Sequence, residues 1–159
     1  MLFIAVIGSA SCSTEIAALA RGVGREIARR GAVLICGGRG GVMQAACQGA
    51  KEAGGLTVGI LPGVDRGGAN PFVDVPVVTG LGEARNTIIV RTADAAIAIH
   101  GGYGTLSEIA LARKMGRPVV GLSTWELRQD SQPVKAVIQA STPVEAVELA
   151  LTLAEEKHV

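Results

Sequence analysis

The chain has 159 residues, 48% of them apolar and chiefly Ala, Val, Ile and Leu, which is enough for one domain around an aliphatic core. A formal net charge of +1 gives no bulk field that would recruit nucleic acid or an anionic membrane. Cys12, Cys36 and Cys47 are odd in number and lack CxxC spacing, so a disulfide framework or metal site is not expected, and reduced thiols in a cytoplasmic protein are.

No charged segment leads into a signal stretch, and Leu2-Phe3-Ile4-Ala5-Val6-Ile7 is too short to span a membrane. It reads as a first strand ending in the small-residue loop Gly8-Ser9-Ala10-Ser11-Cys12-Ser13. Ser13 is positioned as the N-cap of a helix over about 14–30, with Ile16, Ala20, Val23 and Ile27 on one apolar face. Arg21, Arg25 and Arg29 form a second stripe, expected to be a solvated face. Gly31 ends this helix. Ala32 to Cys36 is a second strand, and Gly37-Gly38-Arg39-Gly40-Gly41 turns into a helix from Val42 to about Ala53. Leu56 to Ile60 is a third strand, completing a β-α-β-α-β run typical of a right-handed parallel unit.

Residues 61–73 are rich in Gly and Pro and read as a mobile surface loop able to act as a lid. A short strand near 74–78 precedes a helix over about 83–92 that carries Arg85, Asn86 and Arg91. The run Ala95-Ala96-Ile97-Ala98-Ile99 is a buried strand, followed by His100-Gly101-Gly102-Tyr103-Gly104-Thr105-Leu106-Ser107-Glu108 and a helix to about Met115. Pro118 to Gly121 is another strand, 122–132 a loop with Trp125, and 134–139 a last short strand. Thr142-Pro143-Val144-Glu145 supplies an N-cap, an N1 proline and a capping acid. Val144, Val147, Leu151 and Ala154 are expected to form the apolar face of this last helix. The fold class that follows is α/β: one doubly wound, mainly parallel Rossmann-like domain over 1–159, six or seven strands in order 3-2-1-4-5-6, helices on both faces.

Three glycine turns, at 8–13, 37–41 and 101–105, fall at the C-terminal ends of these strands. In an open parallel sheet those ends face one crevice, which predicts a composite site for a phosphorylated, nucleotide-sized ligand. No G-x-x-x-x-G-K-[ST] occurs, and no G-x-G-x-x-G follows the first strand, so P-loop ATP binding and a classical NAD site are disfavoured. No nucleophilic triad is apparent around His100, His158 or Ser107. Glu108 has two readings. Thr105-Leu106-Ser107-Glu108 fits a capping box, with Thr105 at N-cap and Glu108 at N3, and it also sets a carboxylate beside the expected ligand. Arg85 can clamp a phosphate or carboxylate; Arg39 and Arg66 are weaker candidates. Trp125 is read as a partly buried anchor rather than a base-stacking residue, and Tyr103 either packs on a ligand or covers the turn.

The segment Gly101-Gly102-Tyr103-Gly104-Thr105-Leu106-Ser107-Glu108 resembles the PGGxGTxxE motif of the Lonely Guy family. Gly37-Gly38-Arg39-Gly40-Gly41-Val42-Met43 is similar to that family's turn before its second helix, and Arg85-Asn86 sits where it has Arg-Lys. Segments such as Gly59-Ile60-Leu61-Pro62-Gly63, Ala69-Asn70-Pro71 and Gly80-Leu81-Gly82 resemble a short bacterial branch that is also similar to molybdenum-cofactor carriers. A more distant likeness is to the Rossmann domain of DNA-processing protein A, but no basic face with interleaved aromatics accompanies it.

The resemblance implies two functions. One is phosphoribohydrolysis of purine nucleoside 5′-monophosphates, with Arg85 and Glu108 as the catalytic pair. The other is a carrier that holds molybdenum cofactor, a phosphorylated pterin, without turnover. In either case the ligand-binding residues implied are Gly8, Ser9, Gly37, Gly38, Gly40, Gly41, Met43, Arg85, Gly101, Gly102, Tyr103, Gly104 and Thr105. No cofactor is required; the expected occupant is a nucleoside monophosphate, phosphate or molybdenum cofactor. The partners implied are a small phosphorylated ligand and further copies of this chain, as a homodimer or larger homo-oligomer. His100 in place of the motif's proline and Asn86 in place of lysine depart from the pattern. Lysine decarboxylation is not expected, because no pyridoxal-holding lysine lies in the motif region.

Overall fold

The computed structural model describes residues 1–157. Its elements run β1 (Phe3–Ile7), α1 (Thr14–Arg29), β2 (Val33–Cys36), α2 (Gly41–Glu52), β3 (Thr57–Leu61) and β4 (Val75–Val78). A one-turn 3-10 helix (Gly82–Arg85) leads into α3 (Asn86–Thr92), β5 (Ala95–Ile99), α4 (Tyr103–Lys114) and β6 (Val119–Leu122). The chain closes with β7 (Leu127–Gln129), β8 (Gln132–Val134), β9 (Ile138–Gln139) and α5 (Pro143–Glu156).

Seven strands form one sheet in the order β4-β3-β2-β1-β5-β6-β9, and every pairing in it is parallel. The expected 3-2-1-4-5-6 order sets the strand at 74–78, the fourth in the chain, beside β1; it lies outside β3 instead, and β5 takes the place beside β1. Ile4 lies opposite both Leu34 of β2 and Ala95 of β5, so β1 is central and the winding reverses between β1 and β5. Ligands bind at such a reversal, beyond the strands' carboxyl ends. The outer strands are blunt: β4 carries Pro76, which has no N–H to offer, and β9 is two residues long.

Side chains alternate between two cores, as strands buried on both faces require. Ile4, Val6, Leu34, Ile97 and Ile99 pack under α1, α2 and α5, while Ala5, Ile7, Ile35, Ala96 and Ala98 pack under α3 and α4. The helices α1 and α2 touch backbone to backbone. A Cβ on Gly24 would lie 1.8 Å from the Ala46 carbonyl oxygen, and one on Gly49 would lie 1.9 Å from that of Arg21.

Three further sequence expectations change here. The arginine stripe of α1 is not simply solvated: Arg21 and Arg25 both donate to the carboxylate of Glu52 in α2, and these two arginines hold that carboxyl below its usual range. In α5 the buried positions are Ala146, Val147, Ala150 and Ala154; Val144 is half exposed, one position off the buried stripe. Its capping holds as expected, with Glu145 N–H donating to Thr142 Oγ1 (3.2 Å). The stretch 122–139, expected as a loop and one strand, contains the antiparallel pair β7–β8 before β9 joins the main sheet.

Candidate functional site

At the winding reversal, the carboxyl ends of β1 and β5 diverge above a cavity of about 260 Å³. Its walls are Val6 to Ala10 from the end of β1 and the loop after it, Gly37 from the β2–α2 turn, Met43 from the first turn of α2, Glu83, Arg85, Asn86 and Ile89 from the 3-10 turn and α3, and Gly102, Gly104, Thr105 and Glu108 from the cap and first turns of α4. Of the residues expected to bind ligand, Gly8, Ser9, Gly37, Met43, Arg85, Gly102, Gly104 and Thr105 line it, together with Glu108; Gly38, Gly40, Gly41, Gly101 and Tyr103 do not.

Those glycines outside the cavity shape it from behind. Gly41 opens α2 at φ +59°, and a Cβ there would lie 2.3 Å from the Ser9 carbonyl oxygen, which accepts the Val42 N–H at 3.0 Å. The β1 and β2 turns are thereby held together. Gly101 has φ +105°, and the buried Thr105 side chain occupies the space where its Cβ would be. Gly102 and Gly104 differ: a Cβ at either would meet nothing within 4 Å. Their bare backbone leaves the start of α4 open to the cavity, where unpaired N–H groups of a helix N-terminus favour an anion.

The capping box is not formed. α4 begins three residues earlier than its Thr-x-x-Glu pattern implies, with Gly102 as N-cap and no side-chain cap. The glycine pair lets the chain turn directly into helix at Tyr103, so Thr105 lies inside the first turn. Glu108 falls in the second turn, where its carboxylate has no first-turn amide to receive and lines the cavity instead. Burial raises its pKa to about 7, opposed by the attraction of Arg85.

Arg85 is the cavity's cation and is 9% exposed. The bare Cα of Gly37 makes room for it: a Cβ there would be 2.9 Å from both Arg85 Nη2 and Met43 Sδ. Its Nη1 donates to Asn86 Oδ1, and its Nη2 reaches the Gly37 carbonyl only at 3.5 Å. Its Nε is buried and has no hydrogen-bond partner among the described residues. A buried unpaired guanidinium donor is costly and fits an anionic acceptor supplied from outside the chain. Asn86, where the resemblance expects lysine, therefore orients the arginine by accepting from it.

Trp125 is the anchor expected. Its Nε1–H donates to the Gly102 carbonyl at 3.1 Å, and Tyr103, 84% exposed, stacks on it with ring centroids 6.1 Å apart. Arg39 and Arg66 do not line the cavity. The far end of the supposed lid is tied down: Asn70 N–H donates to the Gly38 carbonyl (2.8 Å), and its buried side chain donates to the Arg39 carbonyl (2.9 Å). Sequence reasoning missed Glu83; the visible signal was a carboxylate two residues ahead of Arg85.

Residues 1–156 match the model of one protein family along nearly the whole chain. The chain belongs to the SLOG cluster4 family. This agrees with the Lonely Guy resemblance. The molybdenum cofactor binding protein of Rippkaea orientalis is 39% identical to this SLOG cluster4 chain, with a TM-score of 0.85 over 96% of each chain. The molybdenum cofactor carrier protein of Chlamydomonas reinhardtii is 35% identical, with a TM-score of 0.83 over 98% of this chain and 99% of that one. A cytokinin riboside 5′-monophosphate phosphoribohydrolase of Mycobacterium tuberculosis is 36% identical over 120 residues, 70% of this chain and 64% of that enzyme. This chain spans about half to two-thirds of the phosphoribohydrolases it matches. No described helix of this SLOG cluster4 protein is long and apolar enough to cross a membrane.

Proposed function

We propose that this chain holds a phosphorylated, nucleotide-like ligand at the β1–β5 reversal and carries it without turnover, the cargo being molybdenum cofactor. The observation that carries the reading is the buried Arg85 Nε without a partner, set against open glycine backbone at the start of α4. Together they make a cradle whose donors match a phosphate. Likeness to a binding protein and a carrier over nearly the full length of both supports cargo over substrate. A cavity of about 260 Å³ is slightly below the roughly 300–1,000 Å³ usual for small-molecule sites, so it takes the phosphate and part of the ligand while the rest projects from the mouth. The test is to mix the protein with freshly released molybdenum cofactor and follow its capacity to reconstitute a cofactor-free molybdoenzyme. A slower loss of that capacity than in buffer is expected; equal loss rejects the carrier reading.

A second reading, phosphoribohydrolysis, rests on Glu108. A carboxylate titrating near neutrality beside an arginine is suited to stabilise an oxocarbenium-like sugar or orient water on it. Incubation with AMP and chromatography of free adenine tests this, and Glu108→Ala is expected to lower release by roughly 10²–10⁴ if the reaction occurs. No release in the wild type sets this reading aside. We also propose that residues 1–159 are a single cytoplasmic domain that self-associates, which light scattering on the eluting protein checks.

A further inference from the structure

The cavity that binds phosphate in the proposed reading has an unusual charge inventory. Arg85 is its one cation among the described residues, and two carboxylates, Glu83 and Glu108, line it as well. Glu83 belongs to the 3-10 turn Gly82–Arg85 and is exposed, and its side chain makes no hydrogen bond or ion pair among the described residues, although it interacts electrostatically with Arg85 two residues later. Arg85 is turned away from it, towards Asn86 Oδ1 and the Gly37 carbonyl. A bare anion arriving beside Arg85 therefore also meets an unneutralised carboxylate, and the two effects oppose each other. A ligand gains from both groups only if it brings phosphate to Arg85 and N–H donors to Glu83.

From this juxtaposition we infer that Glu83 is a specificity residue which accepts a pair of N–H groups from the ligand's heterocycle, selecting rings with a 2-amino group beside a ring N–H over 6-amino purines and over phosphates with no ring. The chemistry is that of a carboxylate facing two parallel donors, the geometry that makes bidentate pairs strong. Guanine and pterin both place a ring N–H beside an exocyclic amine. Adenine places its amine beside a ring acceptor, which faces a carboxylate oxygen lone pair to lone pair. Glu108 is the more buried of the two and burial favours its protonated form, so it is not the open acceptor that Glu83 is. The inference rests on the proposed phosphate-ligand reading and narrows the ligand class within it.

The experiment is calorimetric titration of the full chain with GMP, neopterin phosphate, AMP, ribose 5-phosphate and guanosine, in the wild type and in Glu83→Gln and Glu83→Ala. Both variants alter an exposed side chain, and circular dichroism verifies their folding. Expected for the wild type is binding of GMP, neopterin phosphate or both at least roughly tenfold tighter than AMP, the discrimination a good bidentate pair supplies. In Glu83→Gln this preference should shrink to within about twofold, while ribose 5-phosphate binds several-fold tighter because a like charge is gone. The opposite signs for the two ligands distinguish recognition from a general weakening of the site. If the wild type binds GMP more tightly than guanosine but treats GMP and AMP alike, or if the variants weaken all ligands equally, Glu83 does not read the ring and the phosphate reading stands. If no phosphorylated ligand binds, both fall together.

Discussion

Between α1 and α2, glycine stands where another backbone already is; at the start of α4 it stands where nothing is. Gly24 and Gly49 leave less than 2 Å for a Cβ before it meets a carbonyl oxygen of the facing helix, whereas Gly102 and Gly104 have open space beyond them. The same residue type is explained by packing in one region and left unexplained by packing in the other. A glycine that neither neighbours nor backbone angles demand is the one to connect with a ligand, because its bare surface is what a bound molecule approaches.

The widest way to break this contrast is at the helix seam. Gly24→Ala or Gly49→Ala must push apart a pair of helices whose touching atoms are backbone and cannot rotate aside. Each is expected to lower unfolding stability by on the order of 3 kcal/mol, read from the urea midpoint, and a loss below about 0.5 kcal/mol would mean the seam opens freely. Next in size is Arg85→Met. Removing the one cavity cation should weaken a phosphorylated ligand by roughly 10- to 100-fold, the range of a charge-assisted hydrogen bond. Folding stability should hold or rise, since the unsatisfied Nε goes with it; unchanged affinity would mean that no anion binds at this arginine.

A smaller effect belongs to Glu108. Folded, it keeps its proton up to about 7, against an ordinary value of 4.5. The folded state thus binds more protons across that window, so the group's contribution is complete below the lower value and is lost as pH rises through the upper one. Melting temperature should fall between about pH 5 and 8 in the wild type and fall less in Glu108→Gln; parallel profiles would show a solvated carboxylate. Smallest are Gly102→Ala and Gly104→Ala. Stability should change by less than about 1 kcal/mol, with Gly104→Ala favourable because alanine prefers a helix interior. Ligand affinity should nonetheless drop several-fold. If affinity is untouched, the open glycines have no ligand to explain them.

Much of the architecture was legible because each element carries its own signal. Buried parallel strands are continuous apolar runs, and glycine turns mark their carboxyl ends, so the parallel sheet and the location of the crevice followed from the chain, whereas the place of β4 outside β3 did not. The errors arose where a local pattern competed with tertiary context. Thr105-Leu106-Ser107-Glu108 satisfies the capping-box rule, but Gly101 and Gly102 start the helix early and carry Glu108 one turn inward. Arg21 and Arg25 look solvated until α2 brings Glu52 beside them. Gly24 and Gly49 sit inside helical patterns, and only the facing backbone explains them. Glu83 carries no motif at all, and the fold alone places it at the cavity.

The margins of the sheet bear on how this protein behaves when crowded. A row of free N–H and C=O groups invites a second chain to add itself as another strand, and the exposed valines of β4 (Val75, Val77 and Val78) would reward that addition. Pro76 interrupts the row at its centre, and at the opposite side β9 offers two residues, too few to template anything. Strand-by-strand stacking is therefore blocked chemically on one side and by length on the other, which leaves helix faces and loops as the surfaces for any self-association.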